Sequence, residues 1–385
     1  GLNKYGQLGN STQDDSNVPV RVSNANGFVN GSVAQVSAGG SKNKGHTCAV
    51  TTDGAAYCWG SNQYGQLGNG LNTKSLEPVK VVSGDEGFVN GSVRQVSAGK
   101  SYTCAVTTGN TAYCWGKNDS GQLGNRTNTK SPVPVLVVNG TQGFVNGSVQ
   151  EVSAGFEHTC ALTGDTGTGG TVYCWGQNSQ GQLGSGRPLS LVPVKVDPGS
   201  QGFVNGSVRQ VSVGSEHTCA VTDAGAAYCW GKNGYGRLGN DSEVNSAVPV
   251  RVSTANGFVN GQVDQVSAGD YHTCAVTTGN TVYCWGRDND EQLGNGLNTK
   301  SLVPVKVVDG TEGFVNGQVD QVSAGEYHTC AVTTGNTAYC WGKNDSGQLG
   351  NGTNTKSPVP VLVAGQLRVV PNPVEFGTVD AGSSK

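Results

Sequence analysis

Methionine is absent from the 385 residues, and charged side chains make up only 13% of them. The 24 Lys and Arg against 27 Asp and Glu leave a formal net charge of −3. That balance excludes the basic footprint a nucleic-acid binder needs to displace counterions from phosphates. No apolar run approaches the eighteen or so residues that a membrane-spanning helix requires, so no membrane span is expected in this chain. Helical spacing is missing too, since no segment repeats apolar residues at three and four over ten positions. No leader of the secretory type is visible, and without a Met the chain reads as a mature piece of something longer.

What is abundant is glycine, 61 residues, without the Gly-X-Y period of collagen. Glycine used this way punctuates many short strands with tight turns. The segment Gly-Phe-Val-Asn-Gly begins at Gly27, Gly87, Gly143, Gly202, Gly257 and Gly313, with spacings of 60, 56, 59, 55 and 56. Such a period fits one four-stranded propeller blade per repeat.

The second copy shows the unit. Strands are expected at 92–97, 102–107, 111–116 and 132–138, with Thr108-Gly109-Asn110 turning the central hairpin. Pro132 and Pro134 cannot donate to a ladder, which makes the last strand an edge. Cys-Ala-Val and Ala-Tyr-Cys-Trp are apolar at both parities, as in strands covered on both faces. The Gly-Gln-Leu-Gly-Asn loop and its variants occur at Gly6, Gly65, Gly121, Gly181, Gly236, Glu291 and Gly347, seven copies against six of Cys-Trp-Gly. The count predicts a seven-bladed β-propeller of four-stranded antiparallel blades over residues 1–363, with six complete repeats and 1–22 as the outer half of one more; a closed six-blade ring with a loose N-terminal flap is the competing count. Residues 364–385 leave the repeat. They read as a linker and the opening of a further β domain, resembling a bacterial immunoglobulin-like one.

The twelve cysteines form six intervals: Cys48 to Cys58, Cys104 to Cys114, Cys160 to Cys174, Cys219 to Cys229, Cys274 to Cys284 and Cys330 to Cys340. Each places one Cys on the second strand and one on the third, equally far from the turn. The third interval is longer because its turn, Thr163 to Gly170, is longer, yet both cysteines stay at the base of the hairpin. A cross-strand pair is close enough for a disulfide. Zinc is the rival, since a His stands two residues before five of the first cysteines. The spacing is not that of close ligands, and each repeat lacks a fourth donor. Six disulfides imply an oxidising compartment: the cell exterior, the cell surface or the periplasm.

Series of Val-Ser-Ala-Gly-x-x-His-Thr-Cys-Ala-Val, Tyr-Cys-Trp-Gly-x-Asn, Gly-Gln-Leu-Gly-Asn and Pro-Val-x-Val resemble the regulator-of-chromosome-condensation repeat. The cysteine-bearing form resembles a bacterial, exported branch of that family. The resemblance implies a seven-bladed propeller and no single activity. The namesake is a guanine-nucleotide exchange factor for a small GTPase, and a secreted relative inhibits β-lactamases.

Repeated residues read as architecture. His46, His158, His217, His272 and His328 are expected to bond backbone at the Ala-Gly turn, and the six Trp to pack blade on blade. The Asn/Asp loops, Arg287 to Glu291 among them, lack the spaced ligands of a calcium loop and read as turns. No metal, cofactor or catalytic set is expected. Sequons at Asn30, Asn90, Asn146 and Asn205 coincide with Asn-Gly turns.

The residues that vary between copies carry the functional expectation. Lys100, Phe156, Glu157, Glu216, Asp270, Tyr271, Glu326 and Tyr327 occupy equivalent loops, which a propeller gathers on one rim around its channel. Aromatics interleaved with charge suit a partner protein. The expected function is a non-catalytic protein-binding scaffold outside the cell. The alternatives are a secreted enzyme inhibitor, a structural surface or filament protein, and an exchange factor.

Overall fold

The computed structural model describes all residues except 42–43, 85–86, 141, 165–168, 311, 366, 370–373 and 377–385. Within it the repeat folds as expected, one four-stranded antiparallel sheet per copy, strands in chain order from the inside outward. Blade 1 spans Val33–Lys80, blade 2 Val93–Leu136, blade 3 Val149–Lys195, blade 4 Val208–Arg251, blade 5 Val263–Lys306 and blade 6 Val319–Leu362. In blade 2 the strands are Val93–Ala98, Tyr102–Thr107, Ala112–Gly116 and Ser131–Leu136.

The number of blades corrects the expectation of seven: the described residues form six. Residues 1–22 contribute no strand. The reason is ladder chemistry. Each outer strand elsewhere hangs on a Tyr-Cys-Trp-Gly strand, as Leu136 does on Tyr113, and the Pro19-Val20 segment has no such neighbour. It runs instead between blades 6 and 1. The Gly1 amine donates to Gly347 O at 3.0 Å, and Gly352 N donates to Asn17 O at 2.8 Å. On the other side Thr47 Oγ1 and Trp59 Nε1 donate to Gln7 O at 2.9 and 3.0 Å.

Two short strands beyond the last blade, Leu367–Val369 and Val374–Phe376, pair with each other. The expected immunoglobulin-like opening otherwise lies outside the described residues, as do residues 165–168 of the long third turn.

The core sits between blades and is rebuilt from the same parts each time. Gln66 O accepts both Trp115 Nε1 and Thr103 Oγ1 from the next blade at 2.9 Å. Leu67 is fully buried beside them. Gly68 has a φ of +66°, and a Cβ there would stand 2.7 Å from the Trp115 indole nitrogen, so this position admits glycine alone. Phe88 meets Trp115 edge-on at 6.0 Å between centroids, a geometry that adds about 0.5–1.5 kcal/mol to the buried area. The sequon Asn side chains staple neighbouring blades. Asn90 Oδ1 accepts Ala56 N at 2.8 Å and its Nδ2 donates to Ala56 O at 3.0 Å.

The cysteines stand directly opposite each other in register on the second and third strands of every blade. Each pair is joined by a disulfide: Cys48 with Cys58, Cys104 with Cys114, and Cys160 with Cys174 in blades 1 to 3. Blades 4 to 6 carry Cys219 with Cys229, Cys274 with Cys284, and Cys330 with Cys340. The Cα atoms are 4.0 Å apart in all six. The sulfurs are thereby bonded to each other, which leaves no thiolate for the rival zinc reading.

Candidate functional site: one face of the propeller

The loops joining first to second strands gather on one face around a cavity of about 570 Å³. Backbone of the Ala-Gly turns supplies most of its wall. Side chains of Lys100, Phe156, Asp270, Glu326 and Tyr327 reach it, with His46 and His328 below. Of the eight residues expected on this rim, five therefore line the cavity. Glu157, Glu216 and Tyr271 do not. Glu157 is drawn to Lys117 at 2.6 Å and Glu216 to Lys232 at 2.6 Å. Tyr271 instead stacks on Tyr327, with ring centroids 5.3 Å apart and planes 16° off parallel.

The aromatics are half-buried and already engaged, rather than free in solvent. Lys100 Nζ sits 3.0 Å from the Phe156 centroid. The Arg287 guanidinium faces three tyrosines, Tyr327 at 5.0 Å, Tyr271 at 5.3 Å and Tyr235 at 5.8 Å. Arg287 also pairs with Asp290 at 3.1 Å. Such cation–π contacts are worth roughly 0.5–2 kcal/mol each as desolvation increases. Arg237, 1% exposed, donates from Nη1 to Asp270 O at 2.8 Å and so holds the Asp270 loop. Burial, and then the Glu326 charge beside it, push the Asp270 carboxyl up to about 7, against the pull of Arg237 and Lys100. Near neutral pH this face therefore carries an acid poised between charge states.

The cations were missed at the sequence level. Lys117, Lys232, Arg237 and Arg287 follow the third strands, a different loop from the one that carries the aromatics. The signal was present, because Gly-Arg-Leu-Gly at Gly236 breaks the Gly-Gln-Leu-Gly pattern.

The histidines behave as architecture, though not by the expected bond. Nε2 of His46, His158, His217 and His272 lies 2.8–2.9 Å from a Thr Oγ1 of the next blade. Each of those Thr hydroxyls already donates to a carbonyl, as Thr103 does to Gln66 O. The imidazole must therefore donate, which fixes the Nε2–H tautomer. Nδ1 of all four is buried without a partner. Tyr102 fills the same place in blade 2 and meets Thr159 Oγ1 at 3.0 Å. Among the described residues no group of three or more His, Cys, Asp or Glu could hold a metal. No helix there is long and apolar enough to cross a membrane.

A family model described as the RCC1-like domain matches residues 1–384. The Ultraviolet-B receptor UVR8 of Arabidopsis thaliana is 33% identical over 370 residues, covering 94% of this chain and 76% of that protein. The secretion-regulating guanine nucleotide exchange factor of Bos taurus is 29% identical, covering 95% and 78%. The human E3 ubiquitin-protein ligase HERC2 is 31% identical, but the match spans only 7% of its length. Among solved structures, that of human WBSCR16 superposes with a TM-score of 0.77 at 24% identity, covering 96% of this chain and 94% of that one. Yeast RCC1 (Prp20), solved with Kap60, gives 0.68 at 21%, covering 86% and 74%. These two likenesses carry the fold alone. The relatives named are eukaryotic and lend no support to an exported bacterial branch.

Proposed function

The chain belongs to the RCC1-like domain family, and from that premise we propose that it is a non-catalytic scaffold binding a partner protein through the cavity-bearing face. The observation that carries the reading is the Arg287–Tyr271–Tyr327 cluster beside the acids Asp270 and Glu326. The strands repeat closely, whereas the loops of this face differ from copy to copy. Half-buried aromatics held in place by cations lose little side-chain entropy on binding, and such residues dominate interface energetics. Relatives in the family include proteins described as a receptor and as an exchange factor, which supports a regulatory or binding role.

We further propose that the protein works in an oxidising compartment, at the cell surface, outside the cell or in a periplasm. Six disulfides support this, since glutathione keeps cytosolic thiols reduced.

The test replaces Phe156, Tyr271 and Tyr327 together by Ala and compares partner capture with the wild type, using Val244→Ala on the outer loops as a control. Loss of the captured partner in the triple variant alone supports the face, and equal capture removes it. The exchange-factor reading, favoured by the Bos taurus relative, is tested by nucleotide release from small GTPases.

A further inference from the structure

Six of the seven Gly-Gln-Leu-Gly-type loops are preceded by an asparagine that works as a clamp. Asn62 Oδ1 accepts Leu67 N at 2.9 Å. Its Nδ2 faces three oxygens, Asn69 Oδ1 at 3.1 Å, Leu71 O at 3.1 Å and Thr73 O at 3.0 Å. Asn118, Asn233 and Asn344 repeat the pattern at 2.9–3.2 Å with the residues seven, nine and eleven positions on. The chemistry is an amide donating into a cage of acceptors.

In blade 5 the clamp is Asp288. Its loop closes with Gly294 to Ser301, residue for residue the same as Gly68 to Ser75. The turn bonds match: Glu291 N to Asp288 O at 2.8 Å and Leu293 N to Asp288 Oδ1 at 2.9 Å, against 2.9 Å for both in blade 1. Asp288 is fully buried, and its Oδ2 has no hydrogen-bond partner. The amide of Asn62 occupies the corresponding place. By this correspondence a carboxylate oxygen stands where a donor belongs, and the counterparts of the three acceptors around Asn62 are Asn295 Oδ1, Leu297 O and Thr299 O. Oδ2 makes no well-formed hydrogen bond, with only the Thr299 amide pulling on the carboxyl from this side, and burial makes such crowding of oxygens costly.

Neighbouring cations are engaged elsewhere. Lys356 Nζ holds Glu291 at 2.9 Å and Arg287 holds Asp290 at 3.1 Å. Burial, then the Glu291 charge, raise the Asp288 carboxyl to about 7, against the Leu293 amide, Lys356 and the Thr299 amide. The loop that closes over the carboxyl lies at the surface, with Leu297 58% exposed.

We propose that Asp288 anchors a site for a hard, calcium-like cation, completed by Asn295 Oδ1 and the carbonyls of Leu297 and Thr299. Oxygens spaced as the Asn loops space them, about 3 Å apart, suit an ion held at roughly 2.3–2.6 Å, with waters completing six to eight ligands. Magnesium dehydrates reluctantly and keeps several waters rather than taking a cage of protein oxygens, which disfavours it here. The site departs from known calcium loops because carbonyls outnumber carboxylates, which is why the spacing of acidic residues did not reveal it. The proposal does not rest on partner binding, although Asp288 directly follows Arg287 of the tyrosine cluster in the chain.

The experiment uses the full chain with its disulfides intact, stripped with EDTA. Thermal unfolding is followed at pH 8 in EDTA, in calcium and in magnesium, for wild type and Asp288→Asn. Calcium should raise the wild-type midpoint by roughly 3 °C once it exceeds its Kd about a hundredfold. Calorimetry should find one tight equivalent per chain. Asp288→Asn restores the amide of the other loops, so it should unfold no lower than EDTA-treated wild type and ignore calcium. Asn295→Ala, which keeps the carboxylate, should bind calcium about tenfold more weakly. A wild type indifferent to calcium at pH 8 overturns the site and leaves a proton on Asp288 as the group that satisfies the cage. An undiminished response in Asp288→Asn overturns it equally, and an equal magnesium shift overturns the choice of ion.

Discussion

Lowering the pH should destabilise this protein through its inter-blade histidines, and His158 isolates the effect. Its imidazole is 0% exposed, donates to Thr218 from Nε2 and leaves Nδ1 unpaired. Burial alone lowers its pKa from 6.5 to about 3. Above pH 6.5 the ring is neutral in both folded and unfolded chains, and no pH dependence arises. Between 6.5 and about 3 the unfolded chain takes up a proton that the folded one refuses, so stability falls as pH falls. At pH 5 the deficit is about 1.36 × 1.5, or roughly 2 kcal/mol. That figure depends on the unfolded pKa and hardly on the folded one, as long as the latter stays well below 5. Glu151 and Asp270, both raised to about 7 chiefly by burial, act with the opposite sign, so the whole-protein profile mixes the two. A single-site difference does not. His158→Gln keeps an N–H donor and removes the titration. In non-reducing urea or guanidinium unfolding, the variant should gain about 2 kcal/mol relative to wild type between pH 7.5 and pH 5. Parallel profiles, differing by less than about 0.5 kcal/mol, would refute a neutral buried imidazole.

Removing the disulfide Cys104–Cys114 by a double Ala replacement should cost about 2.5–3 kcal/mol in the chain-entropy picture, read as a shift of the denaturation midpoint. The effect of removing Cys160–Cys174 should be slightly larger, because its separation is 14 rather than 10. Thr103→Val leaves the His46 Nε2–H and Gln66 O each short of a partner, and should lower stability by about 2–3 kcal/mol; a change below about 0.5 kcal/mol would contradict the assigned tautomer. Expressed in a host that glycosylates Asn, the folded protein should carry no glycan at Asn90 or Asn146, whose amides bond Ala56 O and Ala112 O. Site-resolved glycopeptide mass spectrometry checks this, since the chain carries other sequons such as Asn125-Arg-Thr.

What could be read from the residues in order was set by chemistry local to one copy. The hairpin pairing of Cys160 with Cys174 survived a lengthened turn, so equal distance from the turn revealed it where sequence spacing did not. The Pro-Val strand announced itself as an edge because proline cannot donate. The blade count went wrong at residues 1–22 because a Pro-Val strand is defined by its neighbour, not by its own composition. The His–Thr bonds were out of reach for a similar reason: His46 and Thr103 are 57 residues apart and meet only once blades pack. The rim was half legible. Its aromatics share one loop and could be compared copy by copy, whereas Arg237 and Arg287 enter from another loop, and Arg237 reaches Tyr271 and Arg287 reaches Tyr327 across a blade boundary.

In a repeat protein the departures from the pattern carry more information than the pattern. A position that is Asn in six copies and Asp in one has had its packing tested six times over, so the cost of the seventh needs a cause of its own. Tyr102 shows a benign departure, since its hydroxyl reaches Thr159, donates to His158 O at 2.6 Å and accepts Gly155 N at 3.0 Å, leaving no polar group stranded. Asp288 shows the other kind, a buried oxygen without a well-formed hydrogen bond. Arg237 lies between the two. It replaces a Gln, is fully buried, and spends its charge holding the Asp270 loop against the tyrosine cluster. Replacing Arg237 by Gln returns the loop to the pattern of the other copies and removes the cation over Tyr271. If the face binds as proposed, that change should weaken partner capture while leaving the blade intact, as judged by an unaltered disulfide count and circular dichroism spectrum. Loss of fold in Arg237→Gln would instead make Arg237 a structural residue, and the specific chemistry of this face would rest on Arg287 and the tyrosines alone.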